Sequence, residues 1–228
     1  AKHFCAQGET TGGLNASAAR IGPRELREIH LPAARAVCQA GVRGIMAAYN
    51  EIDGVPCHAS EELLREVLRG EFGFDGVVMA DGCAIDRLND QTGGALASGA
   101  LALRSGVEIS LWDEGFSRLD EALEKGLIDE ATLNRAVERV LALKFERGLF
   151  EHPYLPEGRK PTFFSKEKFP QSLELSRESL VLLKNKGVLP LAARGTTALI
   201  GPAADDLYRQ LGDYTPPMEP EAGCTLLQ

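Results

Sequence analysis

Hydrophobic positions change their period repeatedly along the chain. Behind Pro23, Leu26, Ile29, Ala33, Val37 and Ala40 recur at helical spacing until Gly41. Pro23 suits a helix start, where its missing N–H costs nothing. Gly44-Ile45-Met46-Ala47-Ala48-Tyr49 then reads as a short apolar strand, and residues 50–59 as a polar loop. Ser60 is placed to cap a second helix carrying Leu63, Leu64, Val67 and Leu68, broken by Gly70 and Gly73. Gly76-Val77-Val78-Met79-Ala80 predicts a second strand with Asp81 at its end. Residues 94–105 predict a small-residue helix, 107–111 a third strand and 118–124 a short helix. Asp129 is placed to cap a longer helix whose buried stripe is Leu133, Val137, Val140, Leu141 and Phe145.

Short apolar strands separated by helices predict an α/β fold with a parallel sheet covered by helices. A doubly wound sheet and a (β/α)8 barrel both satisfy the pattern. Either one puts its chemistry at the carboxyl ends of the strands. Tyr49 and Asp81 occupy such ends. Residues 151–170, with Pro153, Pro156, Pro161 and Pro170, read as a connection over a surface. Residues 173–184 resume a helical pattern, and 197–202 read as one more strand.

Composition narrows the chemistry. The chain has 228 residues and a formal charge of −8. The acidic balance argues against a duplex-DNA partner, which needs a clustered basic face. No apolar run reaches the roughly 18 residues of a membrane span. The chain starts without Met and without a charged, apolar leader, which leaves the compartment open with a lean to the cytoplasm. Five Cys without a Cys-x-x-Cys pair, and four His without ligand spacing, give no support to a metal site. Phosphate loops of the Gly-x-x-x-x-Gly-Lys and Gly-x-Gly-x-x-Gly kinds are missing, as is a Gly-x-Ser-x-Gly nucleophile turn. A phosphosugar enzyme on a doubly wound sheet therefore ranks last. Carboxylate chemistry remains, although Asp81 alone reads first as a turn or cap residue.

Three stretches carry more information together. Lys2-His3-Phe4, the run from Met46 through Tyr49-Asn50-Glu51-Ile52-Asp53-Gly54-Val55-Pro56-Cys57, and Gly73-Phe74-Asp75-Gly76-Val77-Val78-Met79-Ala80-Asp81 resemble family 3 glycoside hydrolases of the β-glucosidase and β-xylosidase type. Arg24 to Pro32, Ser176-Arg177-Glu178-Ser179, Leu189-Pro190-Leu191 and Ile200-Gly201-Pro202 are similar to further stretches of that family, in family order.

The resemblance implies that residues 1–150 form the C-terminal half of a (β/α)8 TIM-type barrel. It implies that 151–190 are a linker and helix, and that 191–228 begin an α/β sandwich domain. It implies a retaining exo-β-glycosidase, with Asp81 as nucleophile, Lys2 and His3 on sugar hydroxyls, Tyr49 beside the nucleophile and Met46 in the wall of the first subsite. The substrate would be a β-linked oligosaccharide or an aryl or alkyl β-glycoside, cleaved without cofactor or metal. No nucleic acid and no membrane are expected as partners, and other parts of the same protein would complete the fold.

Two departures stand out. The family commonly carries Trp after the nucleophile, where this chain has Gly82. No residue here matches the family's acid/base Glu. A degenerate, non-catalytic carbohydrate-binding module is the competing reading.

Overall fold

The computed structural model describes residues 1–156, 158, 170–192, 195–212, 214–215 and 223–228. The chain divides into two compact units, Ala1–Tyr154 and Leu155–Gln228.

The first unit is α/β. Its strands are β1 (Ala18–Ala19), β2 (Gly44–Met46), β3 (Glu51–Ile52), β4 (Val55–Pro56) and β5 (Val77–Met79). β2 and β5 pair in parallel, with Met46 opposite Met79. Single parallel bridges extend this pair on both sides, Phe4 to Ala47 and Ile109 to Met79. Four parallel segments thus lie side by side. Each is followed by helix: the run from Pro23 to Gln39, then Glu62–Glu71, Ala95–Ser105 and Glu130–Glu146.

Side chains alternate across these segments. Phe4, Ile45, Ala47, Val78, Ala80 and Val107 are buried, all in one core with Leu64 and Leu68 of the helix Glu62–Glu71. His3, Met46, Met79 and Ile109, on the other face, are only partly buried. The segments are apolar on both faces, but helices cover just one of them.

Local signals explain most boundaries. Ser60 Oγ accepts the Leu63 N–H at 3.1 Å. Asp129 Oδ1 accepts the Thr132 N–H at 2.7 Å, and that bond holds the Asp129 carboxyl below its usual range. The polar loop expected over 50–59 contains structure instead. β3 and β4 form an antiparallel hairpin, and β1 lies parallel to β3. The hairpin turns at Asp53-Gly54, both at positive φ, as a two-residue Asp-Gly turn requires.

The third expected strand, over 107–111, reduces to the single bridge at Ile109. A side chain takes the place of the ladder. Val78 donates its N–H to Glu108 Oε2 at 2.7 Å, while the Glu108 and Ile109 N–H groups both reach the Val78 carbonyl. The same carboxylate accepts two bonds from Arg69, at 2.7 and 2.8 Å, and one from Arg139 at 3.3 Å. The Glu108 side chain is 2% exposed. Burial pushes the Glu108 carboxyl up and the Arg69 guanidinium down, so desolvation outweighs the attraction between them.

The stripe expected to be buried on the helix Glu130–Glu146 is open. Val137, Leu141 and Phe145 are exposed, while Thr132 and Ala136 face inward. Polar contacts hold the second half instead: Arg139 reaches Glu108, and Glu146 accepts two bonds from Arg43 at 2.6 and 2.7 Å, while the ring of Phe150 lies 4.3 Å from that of Phe145.

In the second unit, residues Pro170–Glu178 are helical, shorter than the expected 173–184 at the C-terminal end. Leu180, Val181 and Leu183 follow it and are exposed. Asn185 Oδ1 gathers the N–H groups of Gly187, Val188 and Leu189 into a turn. The strand expected over 197–202 is irregular: Ile200 is 90% exposed, and no segment among the described residues pairs with it. None of the described residues of this unit is buried. Of the expected connection, residues 157 and 159–169 lie outside the described residues.

Removing the Glu108 charge while keeping its shape leaves Arg69 uncompensated indoors. Glu108→Gln is expected to cost about 3 kcal/mol, read as a fall in the urea midpoint. A change within about 0.5 kcal/mol shows that the ion pair does not hold the segments together.

Candidate active site

The four parallel segments end on one side, and the candidate residues leave from those ends. Asp81 follows Ala80, one residue beyond β5, and is 9% exposed. Its carboxylate is divided between two neighbours. Oδ1 accepts the Gly82 N–H at 2.9 Å, and Oδ2 lies 3.4 Å from His3 Nε2. The short segment containing Phe4 brings His3 there, bonded to β2 through Phe4 N–H to the Met46 carbonyl at 2.8 Å.

Tyr49 leaves the end of the β2 segment. Its hydroxyl donates to the Gly82 carbonyl at 2.5 Å, on the residue next to Asp81. Burial, and then the Asp81 charge, raise the Tyr49 hydroxyl above its usual range. It therefore stays a protonated donor at neutral pH. The Arg87 guanidinium lies 5.2 Å from the Tyr49 ring centre, in cation–π range.

The sequence-predicted residues are partly assembled. His3, Tyr49 and Asp81 converge. Met46 is opposite Met79 on the half-open face, two residues before Ala48. Lys2 is exposed beside His3 and lines a cleft with Ala33, Ala34 and Val37 of the helix Leu31–Gln39. His3 is in direct ion-pair range of the Asp81 carboxylate, at 3.4 Å.

Several residues escape sequence reasoning. His58 is almost completely buried, and its Nε2 accepts the Asp81 N–H at 3.2 Å. Its other nitrogen therefore carries the proton, an assignment made from the hydrogen-bond network. Burial pushes the His58 imidazole down to about 4, against the opposing pull of Asp81 and the Ala48 backbone. Fully buried Asn50 donates to the Cys5 carbonyl at 3.2 Å and ties the first segment to the hairpin loop.

Two carboxylates brace the loops beyond Asp81. Asp113 Oδ1 accepts the N–H groups of Ile85 and Asp86, and Oδ2 accepts the Ser110 hydroxyl at 2.8 Å. Asp86 returns the bond by accepting the Glu114 and Gly115 N–H groups. Spacing along the chain holds no sign of these pairings, since only the fold juxtaposes the two loops. One signal was available: the chain's single Trp lies just past a predicted strand end, at position 112.

The arrangement offers a carboxylate held in place on both oxygens, a tyrosine hydroxyl beside it and an imidazole within reach. Such a group suits attack on an electrophilic carbon. Among the described residues, no group of three His, Cys, Asp or Glu sits close enough to hold a metal ion. No described helix is long and apolar enough to cross a membrane.

Known proteins share this architecture. The family model described as the glycosyl hydrolase family 3 N-terminal domain matches residues 1–143. A periplasmic β-glucosidase of Salmonella typhimurium is 34% identical over 224 residues, covering 94% of this chain and 29% of the relative. A putative β-xylosidase of Formosa agariphila is 37% identical over 215 residues, with 90% and 28% covered. Among solved structures, a β-glucosidase from Listeria innocua superposes with a TM-score of 0.73 at 35% identity, over 89% of this chain and 29% of that one. The same match holds for that enzyme in complex with glucose. The chain thus spans under a third of the length of these relatives.

His58 makes acid stability testable. Its folded-state value, about 4, lies below the ordinary 6.5. The unfolded chain therefore takes up the proton first. The contribution is fully present above about pH 6.5 and is lost as pH falls towards 4, to a limit on the order of 3 kcal/mol. Urea midpoints measured across that window should fall steeply for the parent and less steeply for His58→Asn. Parallel curves exclude His58 as the titrating group.

Proposed function

Because this chain belongs to glycosyl hydrolase family 3, we propose that it is the nucleophile-bearing part of a retaining exo-β-glycosidase, with a terminal β-glucoside as the first substrate to consider. The observation that carries this reading is the placement of Asp81. A carboxylate at a parallel strand end, steadied on both oxygens and bordered by His3 and Tyr49, meets the demands of a glycosidase nucleophile.

In the first step one Asp81 oxygen bonds to the anomeric carbon as the bond to the leaving oxygen breaks. A general acid protonates that leaving oxygen. Water then attacks the anomeric carbon, gives its proton to the same acid/base group, and releases the Asp81 carboxylate. The Gly82 N–H and His3 steady the carboxylate before it attacks and its negative charge as it returns in the second step. His3 and Lys2 have the donors to hold sugar hydroxyls, and Met46 stands on the face that would wall the sugar.

The half-covered parallel segments support reading residues 1–150 as half of a (β/α)8 barrel, with 151–190 as linker and helix and 191–228 as the start of an α/β sandwich. The half-open face, with His3, Met46 and Met79, is then the barrel interior. No carboxylate of these 228 residues is assigned as the acid, so the reading puts it elsewhere in the whole protein. β-Xylosidases among the relatives make a xyloside the second substrate to compare.

The test uses the full natural polypeptide that contains these residues. A 2-fluoro glucoside carrying a good leaving group should label Asp81, located by peptide mass. Asp81→Ala should lower turnover of aryl β-glucosides on the order of 10⁴-fold or more. Sugar binding by a parent that neither labels nor turns over favours the binding-module reading. Assayed alone, the 228-residue chain should be slower than the full polypeptide by at least about 10²-fold, the lower end of what a general acid supplies. Equal rates overturn the placement of the acid elsewhere.

A further inference from the structure

Gly82 leaves an opening beside Asp81, and the structure fills that space from a different loop. A Cβ built on Gly82 would stand 3.6 Å from both Cε3 and Cζ3 of Trp112, and 3.3 Å from the Tyr49 hydroxyl oxygen. These are contact distances, so the indole edge lies over the position where a side chain at 82 would begin. Trp112 is nevertheless 81% exposed. Among the described residues nothing covers the indole face.

The backbone that presents the ring is under constraint. Trp112 has φ +70°, a left-handed conformation that bulky residues rarely adopt. Cys83, facing it, has φ +53°. The two loops are tied at this point: Cys83 N–H donates to the Leu111 carbonyl at 2.8 Å, and the Cys83 thiol lies 3.7 Å from the Trp112 carbonyl oxygen. Asp113, next to Trp112, is buried and bonded to Ile85, Asp86 and Ser110. A strained residue fixed by its neighbours, with its side chain turned out beside a reactive carboxylate, points to a binding role.

The direction of the site identifies the ligand part. Asp81 Oδ2 faces His3, and Oδ1 faces the Gly82 N–H on which the indole borders. A polar side chain thus stands at one oxygen, and the open aromatic borders the residue whose N–H holds the other. A terminal sugar with many hydroxyls suits the donor side. The leaving group, which in an exo-acting enzyme points outward, suits the exposed ring. We propose that Trp112 is the stacking platform for the leaving group, an aryl ring or the apolar face of a second sugar. It takes the place a side chain at position 82 would fill. The inference rests on the reading of Asp81 as nucleophile.

Two kinds of measurement on the full natural polypeptide test it. 4-Nitrophenyl β-glucoside presents a ring to stack, and β-glucosyl fluoride does not. Trp112→Ala should lower kcat/KM for the aryl glucoside about tenfold, chiefly through KM, with a much smaller loss for the fluoride. Trp112→Phe should recover most of the difference. Equal losses on both substrates, or none on either, overturn the proposal.

Binding of phenyl β-thioglucoside, which resists cleavage, repeats the comparison as a Kd against methyl β-glucoside. A selective weakening for the phenyl compound supports the platform, and equal weakening or none overturns it. That readout does not need turnover. A parent that binds selectively through Trp112 but never labels at Asp81 therefore refutes the nucleophile and not the platform.

Discussion

The buried carboxylate of Glu108 decides where most of the first unit sits. It draws Arg69 from the helix Glu62–Glu71, Arg139 from the helix Glu130–Glu146 and the Val78 N–H from the middle of β5 into one place. Hydrophobic burial alone would let parallel segments slide, since a slip by two residues keeps the same face inward. A charge that has lost most of its water cannot slide, because each bond it gives up leaves a partner uncompensated. β5 is pinned by this contact three residues before Asp81. The ion pair is not an efficient source of stability, as desolvation already works against both partners. Its effect is positional.

Above that anchor, the site is built from groups that hold each other without being charged. His58 is buried and neutral, and it receives the Asp81 N–H. Tyr49, its proton retained by burial, closes onto the Gly82 carbonyl. Two uncharged side chains thereby fix the backbone on either side of one carboxylate. The Asp81 side chain is left facing His3, the Gly82 N–H and the Tyr49 hydroxyl. Preorganised dipoles of this kind need no rearrangement when charge moves in the reaction.

Much of this was legible in the chain, and the reasons for the remainder are specific. Helix starts at Pro23, Ser60 and Asp129 were readable because their signals are local: a ring without an N–H, or an oxygen three residues from the N–H it caps. Asp81 and Tyr49 were readable as strand-end residues for the same reason. The hairpin at Asp53-Gly54 carried a local signal too, but it lay inside a stretch too polar to suggest strands. The partial loss of the third strand was not legible, since it depends on Glu108 reaching across to Val78, 30 residues away in sequence. His58 follows the same logic at 23 residues' separation. The stripe on the helix Glu130–Glu146 has a correct helical period, but periodicity says which face is apolar and not what covers it.

The way the segment around Ile109 is attached has an evolutionary consequence. It joins β5 through one bridge and a side chain, and its loop is secured by Asp113 and Asp86. Asp81 depends on β5, on His58 and on Tyr49, none of which belongs to that loop. The residue at 112 can therefore be exchanged, lengthened or lost without retuning the carboxylate. On the proposed reading, the group that meets the leaving group and the carboxylate that attacks are thus mechanically separable, and a sequence can vary one while keeping the other.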